Sequence, residues 1–363
     1  MSKKNISGSC SVAKKTSIGG QALIEGIMMR GPKMSAMAVR NTSGEIVLEK
    51  WETKSSNRSK FFKLPIIRGV FGFVDSMVSG YKCLMRSAEI SGLDEIEEEI
   101  QREKELKKAK KRAKKKGISE AEAELEAVAA EAAQKEKESS GFLNAIMVVA
   151  MILGVALSVL LFIMFPSFIY KWLADVLPVL RPSNPALESL VKSFFEGALK
   201  IIILVGYMAL VSLMKDIRRT FQYHGAEHKT IFCYEHNKEL TIENVRAEMR
   251  FHPRCGTSFL ILMLLVGMFI SFFIDPISIW ITGSIPPTWL RAIIRLILLP
   301  LTMGVGYEMI KLAGRRDNLF TRIISAPGVW LQHITVLEPT DDMIECAITA
   351  FKEVIPEDSS DKY

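Results

Sequence analysis

The chain has 363 residues, with 47 Lys and Arg against 40 Asp and Glu, a formal net charge of +7 and 49% hydrophobic residues. Length alone would allow two or three soluble domains, but the apolar residues gather into uncharged windows in the second half, which excludes an ordinary soluble multidomain chain. Five cysteines, Cys10, Cys83, Cys233, Cys255 and Cys346, are an odd number in segments expected on the reducing side of a membrane, which argues against a disulfide framework.

The N-terminus "MSKKNISGSCSVAKKTSIGG" has basic residues with no apolar run after them, so no cleaved signal peptide is expected. Residues 19–32, "GGQALIEGIMMRGP", read as a turn-rich segment that approaches another part of the chain closely and presents Glu25 and Arg30. Residues 34–54 alternate apolar and polar on either side of "NTSG" and predict a β-hairpin. Residues 64–85 are apolar but interrupted by Arg68, Asp75 and Lys82; they fit an interfacial or re-entrant helix and equally a helix of a soluble core. Residues 93–140 run from acidic to strongly basic to Ala/Glu-rich and predict a solvated helical insertion. Its basic block, Lys107 to Lys116, could touch anionic lipid or ribosomal RNA. No base-reading motif accompanies it, so sequence-specific nucleic-acid binding is not expected.

Four windows are candidates to cross about 30 Å of hydrocarbon, which takes roughly 20 apolar residues: 142–170, 194–214, 257–274 and 289–312. Basic residues concentrate between the second and third, where Lys215, Arg218, Arg219, Lys229, Lys238, Arg246, Arg250 and Arg254 lie. Since Lys and Arg favour the cytoplasmic side, both termini are expected in the cytoplasm of a multi-pass protein of the bacterial inner membrane. Glu308 and Arg295, near opposite ends of the fourth window, are candidates for a polar path or for snorkelling. Residues 331–339 read as a strand, and from Thr340 the spacing of Met343, Ile344, Ala347, Ile348 and Phe351 predicts a helix. The fold class is therefore mostly α: a four-helix transmembrane bundle with a small cytoplasmic α/β module built from both termini. The expected divisions are 1–92 (the N-terminal part of the module), 93–140 (the insertion), 141–314 (the bundle, with a His/Cys loop at 215–256) and 315–363 (the C-terminal strand and helix).

The chemistry concentrates in "YHGAEHKTIFCYE", 223–235. His224 and His228 are one helical turn apart, so both imidazoles project from one face, a spacing that suits zinc. The order H-x-x-E-H is that of the inverted zincin motif, in which the glutamate is the general base, a role that would fall to Glu227. The loop returns to the membrane with "FHPRCGTSF", which brings His252 and Cys255 to the foot of the third window. Four such ligands would make a closed structural site, and three would leave a position open for catalysis. The same histidines could instead hydrogen-bond to Glu227, Glu235 and Glu243 and organise the loop without metal.

"GGQALIEGIMMRGP", "YHGAEHKTIFCYE", "LTIENVR", "HPRCGTSFL" and "ITVLEPTDDMIECAI", in this order, closely resemble the bacterial YqhQ-like membrane protein family, a domain of unknown function labelled a predicted metal-dependent enzyme. The resemblance covers nearly the whole chain outside 93–140. It implies that Glu25, Arg30, His224, Glu227, His228, His252, Arg254 and Cys255 occupy motif positions of the family. The resulting expectation is a zinc-dependent hydrolase acting on a peptide or a lipid-linked ester, with Glu227 as base and Arg254 or Arg30 offsetting negative charge. The alternative is a noncatalytic scaffold or biogenesis factor that docks on a ribosome, a translocon or anionic membrane lipid.

Overall fold

The computed structural model describes residues 14–53, 62, 64–92, 142–315 and 318–361. The charged insertion 93–140, with the basic block Lys107 to Lys116, and Cys10 lie outside them. The chain divides into two compact units, Met1–Ser91 with Ala174–Tyr363, and Gly92–Leu173.

Four antiparallel strands, β1 (Gly19–Leu23), β2 (Gly26–Arg30), β3 (Met34–Arg40) and β4 (Ile46–Glu52), form one sheet in sequence order. The β3–β4 hairpin stands where the alternation places it, with Arg40 opposite Ile46. The segment read as turn-rich is a second hairpin: Leu23 faces Gly26 across Ile24 and Glu25, and Glu25 takes the left-handed conformation at φ 49°. Glycine content hid these strands. At Gly20 a Cβ would lie 2.7 Å from the Met28 carbonyl oxygen, so the pleat admits no side chain there.

Helices from distant parts of the chain cover the sheet. Ile27, Met29, Ala36 and Ala38 on one face pack with Tyr223, Ala226 and Ile231 of α5 (Lys215–Glu235) and with Met343, Ala347 and Phe351 of α11 (Asp341–Lys352). Fully burying a side chain such as Met343 or Phe351 stabilises by about 1.5–3 kcal/mol, so the C-terminal helix is held firmly to the N-terminal sheet. The other face, with Leu23, Met28, Met37 and Val39, packs against Cys83 of α1 (Ile67–Ile90). That helix accounts for residues 64–85. Its outward positions Phe71, Val74, Val78 and Tyr81 are exposed, and Gly69 lies against Tyr307.

Three helical segments are long and apolar enough to cross a membrane: Ile152–Val176, Leu187–Val211 and Gly256–Thr282. The first runs from within α2 (Phe142–Val159) through a π-helical turn at Leu160–Met164 to the end of α3 (Phe165–Val176). The second lies within α4 (Pro185–Val211) and the third is α7 (Gly256–Thr282); a single turn, α6 (Ile242–Arg246), lies in the loop between α5 and α7. The fourth window is not one helix. It is α8 (Thr288–Ile297) and α9 (Leu299–Arg315), a pair bent by 49°. The third runs well past the expected end at 274, because Asp275 is buried and bonded to Ser189 and Arg291 and so does not need to reach water. Glu308 and Arg295 do not share a path: Glu308 pairs with Arg68 of α1, and Arg295 with Glu196 of α4.

The strand expected at 331–339 is corrected. Residues 331–335 close a helix, α10 (Leu319–Thr335), which opens with a reciprocal capping box between Asn318 and Thr321. Leu331, Gln332 and Thr335 are buried at helical spacing, and the apparent alternation of Ile334 and Val336 is too short to distinguish the two periods. Only from Val336 is the chain extended, with the Leu337 N–H donating to the Phe221 carbonyl at 2.9 Å.

Candidate metal centre

Helix α5 carries His224, Glu227 and His228, and the N-terminus of α7 carries Cys255. The donor atoms of His224, His228 and Cys255 lie within 4.8 Å of one another. Gly225, between the histidines, lets α5 run directly beneath the extended segment after α10: a Cβ there would lie 1.9 Å from the Leu337 carbonyl oxygen. That contact sets the Thr335 carbonyl over His224.

Each imidazole is oriented from behind. His224 Nδ1 lies 3.0 Å from the Thr335 carbonyl oxygen and His228 Nδ1 lies 2.5 Å from that of Arg250. A carbonyl only accepts, so both Nδ1 atoms carry a proton and both Nε2 atoms are the ones left to serve the cluster. His224 Nε2 is 3.1 Å from Cys255 Sγ. Backbone carbonyls that fix the tautomer of two convergent histidines are the outer-shell arrangement that metal-ligating histidines require. Ligands of a tetrahedral ion at about 2.0–2.3 Å stand roughly 3.3–3.8 Å apart, so the group needs only slight contraction to close on a cation.

The electrostatics suit the same set. Burial opposes a charge on Cys255, but His224 and His228 outweigh it and hold the thiol well below its usual range. Cys255 also caps α7, accepting from the Thr257 N–H, where the helix dipole favours a thiolate. Burial likewise opposes charge on His224, yet the adjacent sulfur raises its pKa to about 9. A divalent cation would displace the proton shared by this pair. His228 and Cys255 are buried while His224 is partly open, which leaves one side approachable.

Glu227 is 6% exposed. Burial raises its pKa, partly offset by the two histidines, and its Oε1 accepts from the Gly20 N–H at 3.0 Å. The edge strand β1 thus positions the carboxylate, an interaction that spans 207 residues. Gly20 also lines a cleft of about 320 Å³ shared with Arg30, Ser76 and Ser79.

His252 and Arg254 are not among the three donors, although the His252 ring centroid lies 5.5 Å from that of His228. The turn between α6 and α7 aims both at Glu235, which lies on α5 beyond His228. Arg254 is ion-paired to Glu235, and His252 Nε2 is 3.7 Å from Glu235 Oε2. Gln332 locks the His252 backbone: its Oε1 accepts from the His252 N–H at 2.8 Å, and its Nε2 donates to the His252 carbonyl at 2.7 Å. Burial lowers the His252 pKa to about 4. Glu25 lies elsewhere again, bonded to Arg219 and Tyr223. Glu235, expected as a hydrogen-bond partner of the histidines, is the carboxylate that His252 faces. The residues invisible to motif spacing are Gly20 and Gln332, together with the Thr335 and Arg250 carbonyls, and of these only Gly20 left a signal in the sequence, as one of two adjacent glycines.

These features define a mostly helical protein with membrane-length apolar helices, whose small α/β module holds a His–His–Cys cluster at the foot of one such helix. Residues 64–357 match the family described as "Protein of unknown function (DUF1385)", and the chain belongs to that family. It is 33% identical over 343 residues to the "Uncharacterized protein YqhQ" of Bacillus subtilis (strain 168), covering 93% of this chain and 92% of that one. No solved structure matches.

Proposed function

We propose that the protein is a zinc-dependent hydrolase of the bacterial cytoplasmic membrane, with its site at the cytoplasmic interface and a peptide or lipid-linked ester as substrate. The observation that carries this reading is the convergence of two backbone-oriented Nε2 atoms and a thiolate. Three ligands leave a coordination position for substrate or water, as catalytic sites do and closed structural sites do not. When bound, zinc would supply Lewis acidity toward the carbonyl or phosphoryl oxygen under attack.

The protein's own groups do the rest. Glu227, buried and held at one oxygen by the Gly20 N–H, takes a proton from the attacking water and returns it to the leaving group as the scissile bond breaks. Its raised pKa brings it nearer the operating pH, where a general base works best. Arg254 is committed to Glu235. Arg30, in the cleft that includes Gly20, is therefore the better candidate to hold an anionic substrate group.

The test uses zinc-loaded full-length protein in detergent, with fluorogenic peptides and p-nitrophenyl esters as probes. Glu227→Gln should lower turnover by about 10²–10⁴-fold, the range for a lost general base, with zinc content unchanged. Equal turnover in the variant removes Glu227 from the chemistry, and zinc-free wild-type protein removes the reading. The scaffold alternative, docking on a ribosome, translocon or lipid, rests on the basic block outside the described residues. Its signature is salt-sensitive co-sedimentation that survives Glu227→Gln.

A further inference from the structure

The sheet face that turns away from α5 and α11 is covered by α1, but not along its whole length. Leu23, Met28 and Met37 pack on Cys83, whereas closer to the start of α1 a cleft of about 320 Å³ opens, lined by Gly19, Arg30, Ser76 and Ser79. That volume lies in the range of small-molecule sites. Gly19 and Arg30 are partners across β1 and β2, so a side chain at either position stands on the same face. A Cβ at Gly19 would meet nothing within 4 Å, which leaves the space beside Arg30 unfilled.

Arg30 is half-buried, and among the described residues its guanidinium has no carboxylate or carbonyl partner. The other described arginines of the sheet and α1 are engaged: Arg40 pairs with Glu345, Arg68 with Glu308 and Arg86 with Glu49. Ser87 of α1 turns its hydroxyl back on the Leu84 carbonyl, while Ser76 and Ser79 make no such bond among the described residues. The two serines are three residues apart and share a helix face. A guanidinium and two hydroxyls around an open space make a donor set for an oxyanion, and a phosphate, with several strong acceptor oxygens, takes more of those bonds than a carboxylate does.

The placement of α1 indicates where such a phosphate would come from. Its first turn is tied to α9, one half of the bent apolar pair, because Arg68 pairs with Glu308 and Gly69 lies against Tyr307. At about 100° per residue, Val74, Val78 and Tyr81 fall on the side opposite Ser76 and Ser79, and they are 46%, 51% and 65% exposed. An interfacial helix sinks its apolar face about 5–10 Å into the acyl boundary and keeps its other face at headgroup depth. We propose that the cleft between β1, β2 and α1 receives the phosphate of an anionic membrane lipid, with Arg30 as its charged anchor and Ser76 and Ser79 as hydroxyl donors. As a choice of substrate this rests on the hydrolase reading and selects the lipid-linked ester over the peptide, since Gly20, which lines the cleft, also bonds Glu227. Lipid binding itself needs neither zinc nor Glu227.

The experiment measures the melting temperature of full-length, metal-free protein in neutral detergent with phosphatidylglycerol, diacylglycerol of the same chains or glycerol phosphate added at equal concentration. Wild-type protein should be stabilised by several degrees by phosphatidylglycerol and by neither of the others. Arg30→Gln should weaken the affinity read from a lipid titration by about 10–100-fold, the worth of a charged hydrogen bond. Gly19→Leu, whose side chain would occupy the open space, should abolish the response. Where a variant folds poorly, native mass spectrometry of the wild type decides: phosphatidylglycerol retained over diacylglycerol supports the site, and equal retention overturns it. An undiminished response in both variants overturns it as well, and an equal response to glycerol phosphate replaces the lipid by a free phosphate ester. No turnover is read, so zinc-free or inactive protein that binds phosphatidylglycerol contradicts the hydrolase reading alone, and active protein that does not bind it contradicts the lipid assignment alone.

Discussion

Replacing Gly225 by alanine should destabilise the protein, against the usual trend for helices. Inside a helix alanine is favoured over glycine by about 0.8–1.0 kcal/mol. Here the new Cβ would lie 1.9 Å from the Leu337 carbonyl oxygen, where ordinary contact begins near 3.4 Å, so α5 and the segment after α10 must separate by about 1.5 Å. The neighbour is backbone rather than a flexible side-chain tip, and overpacking of this kind costs about 1–3 kcal/mol or more. The same shift pulls apart the 2.9 Å bond from the Leu337 N–H to Phe221, worth about 1 kcal/mol. The net loss is about 1–3 kcal/mol once the helix preference is subtracted. It should be read as a lower apparent melting temperature of the detergent-purified protein. Gly206→Ala is the control, since nothing lies within 4 Å of a Cβ there, and it should be neutral or stabilising. The shift also withdraws the Thr335 carbonyl from His224, so metal affinity should fall with stability. A Gly225→Ala protein as stable as wild type would refute the packing of α5 against Leu337.

Gly20→Ala should lower both melting temperature and turnover, because its Cβ would meet the Met28 carbonyl oxygen at 2.7 Å and the Glu227 carboxyl carbon at 3.0 Å; the zinc content of the folded fraction should hold, as read by paired assays. Glu235→Gln should cost about 3–5 kcal/mol at neutral pH, the range for breaking a buried ion pair, here the one with Arg254. Burial pushes the Glu235 carboxyl up, but His252 and Arg254 more than offset this and hold it below 4.5. Its contribution is thus fully present above that value and lost as pH falls through the folded pKa, so melting curves of wild type and Glu235→Gln should converge in acid. Cys255 should react with iodoacetamide in the metal-free protein at pH values where an ordinary thiol is inert, since its pKa lies well below 9.0; a normal alkylation profile would contradict the thiolate assignment.

The sequence made the β3–β4 hairpin and α11 legible because both bury one side against the core, and burial imposes a period of two or of 3.6. It concealed β1 and β2 because Gly20 and Gly26 serve backbone proximity, with a Cβ at Gly26 lying 2.4 Å from the Ala38 carbonyl, and glycine carries no facing pattern. The span of α7 was cut short at Asp275 because an ion pair with Arg291, sixteen residues away, is not visible in a hydropathy window. At the candidate centre, His224 and His228 converge because a helix fixes their relation. His252 packs its ring 5.5 Å from that of His228 but turns its Nε2 toward Glu235 and Arg254, since the turn "FHPRCG" leaves its direction to Gln332 and Glu235, which come from other elements. The carbonyls of Thr335 and Arg250 could not have been anticipated, because a main-chain acceptor has no residue identity.

The proposed centre stands or falls on whether His224, His228 and Cys255 hold an ion. Elemental analysis of the full-length protein, purified in detergent without chelator, measures this directly in wild type beside His228→Ala and Cys255→Ser. Stoichiometric zinc is expected in the wild type and its loss in both variants, with His252→Ala retaining it. Metal-free wild-type protein, or zinc that survives both substitutions, would contradict it.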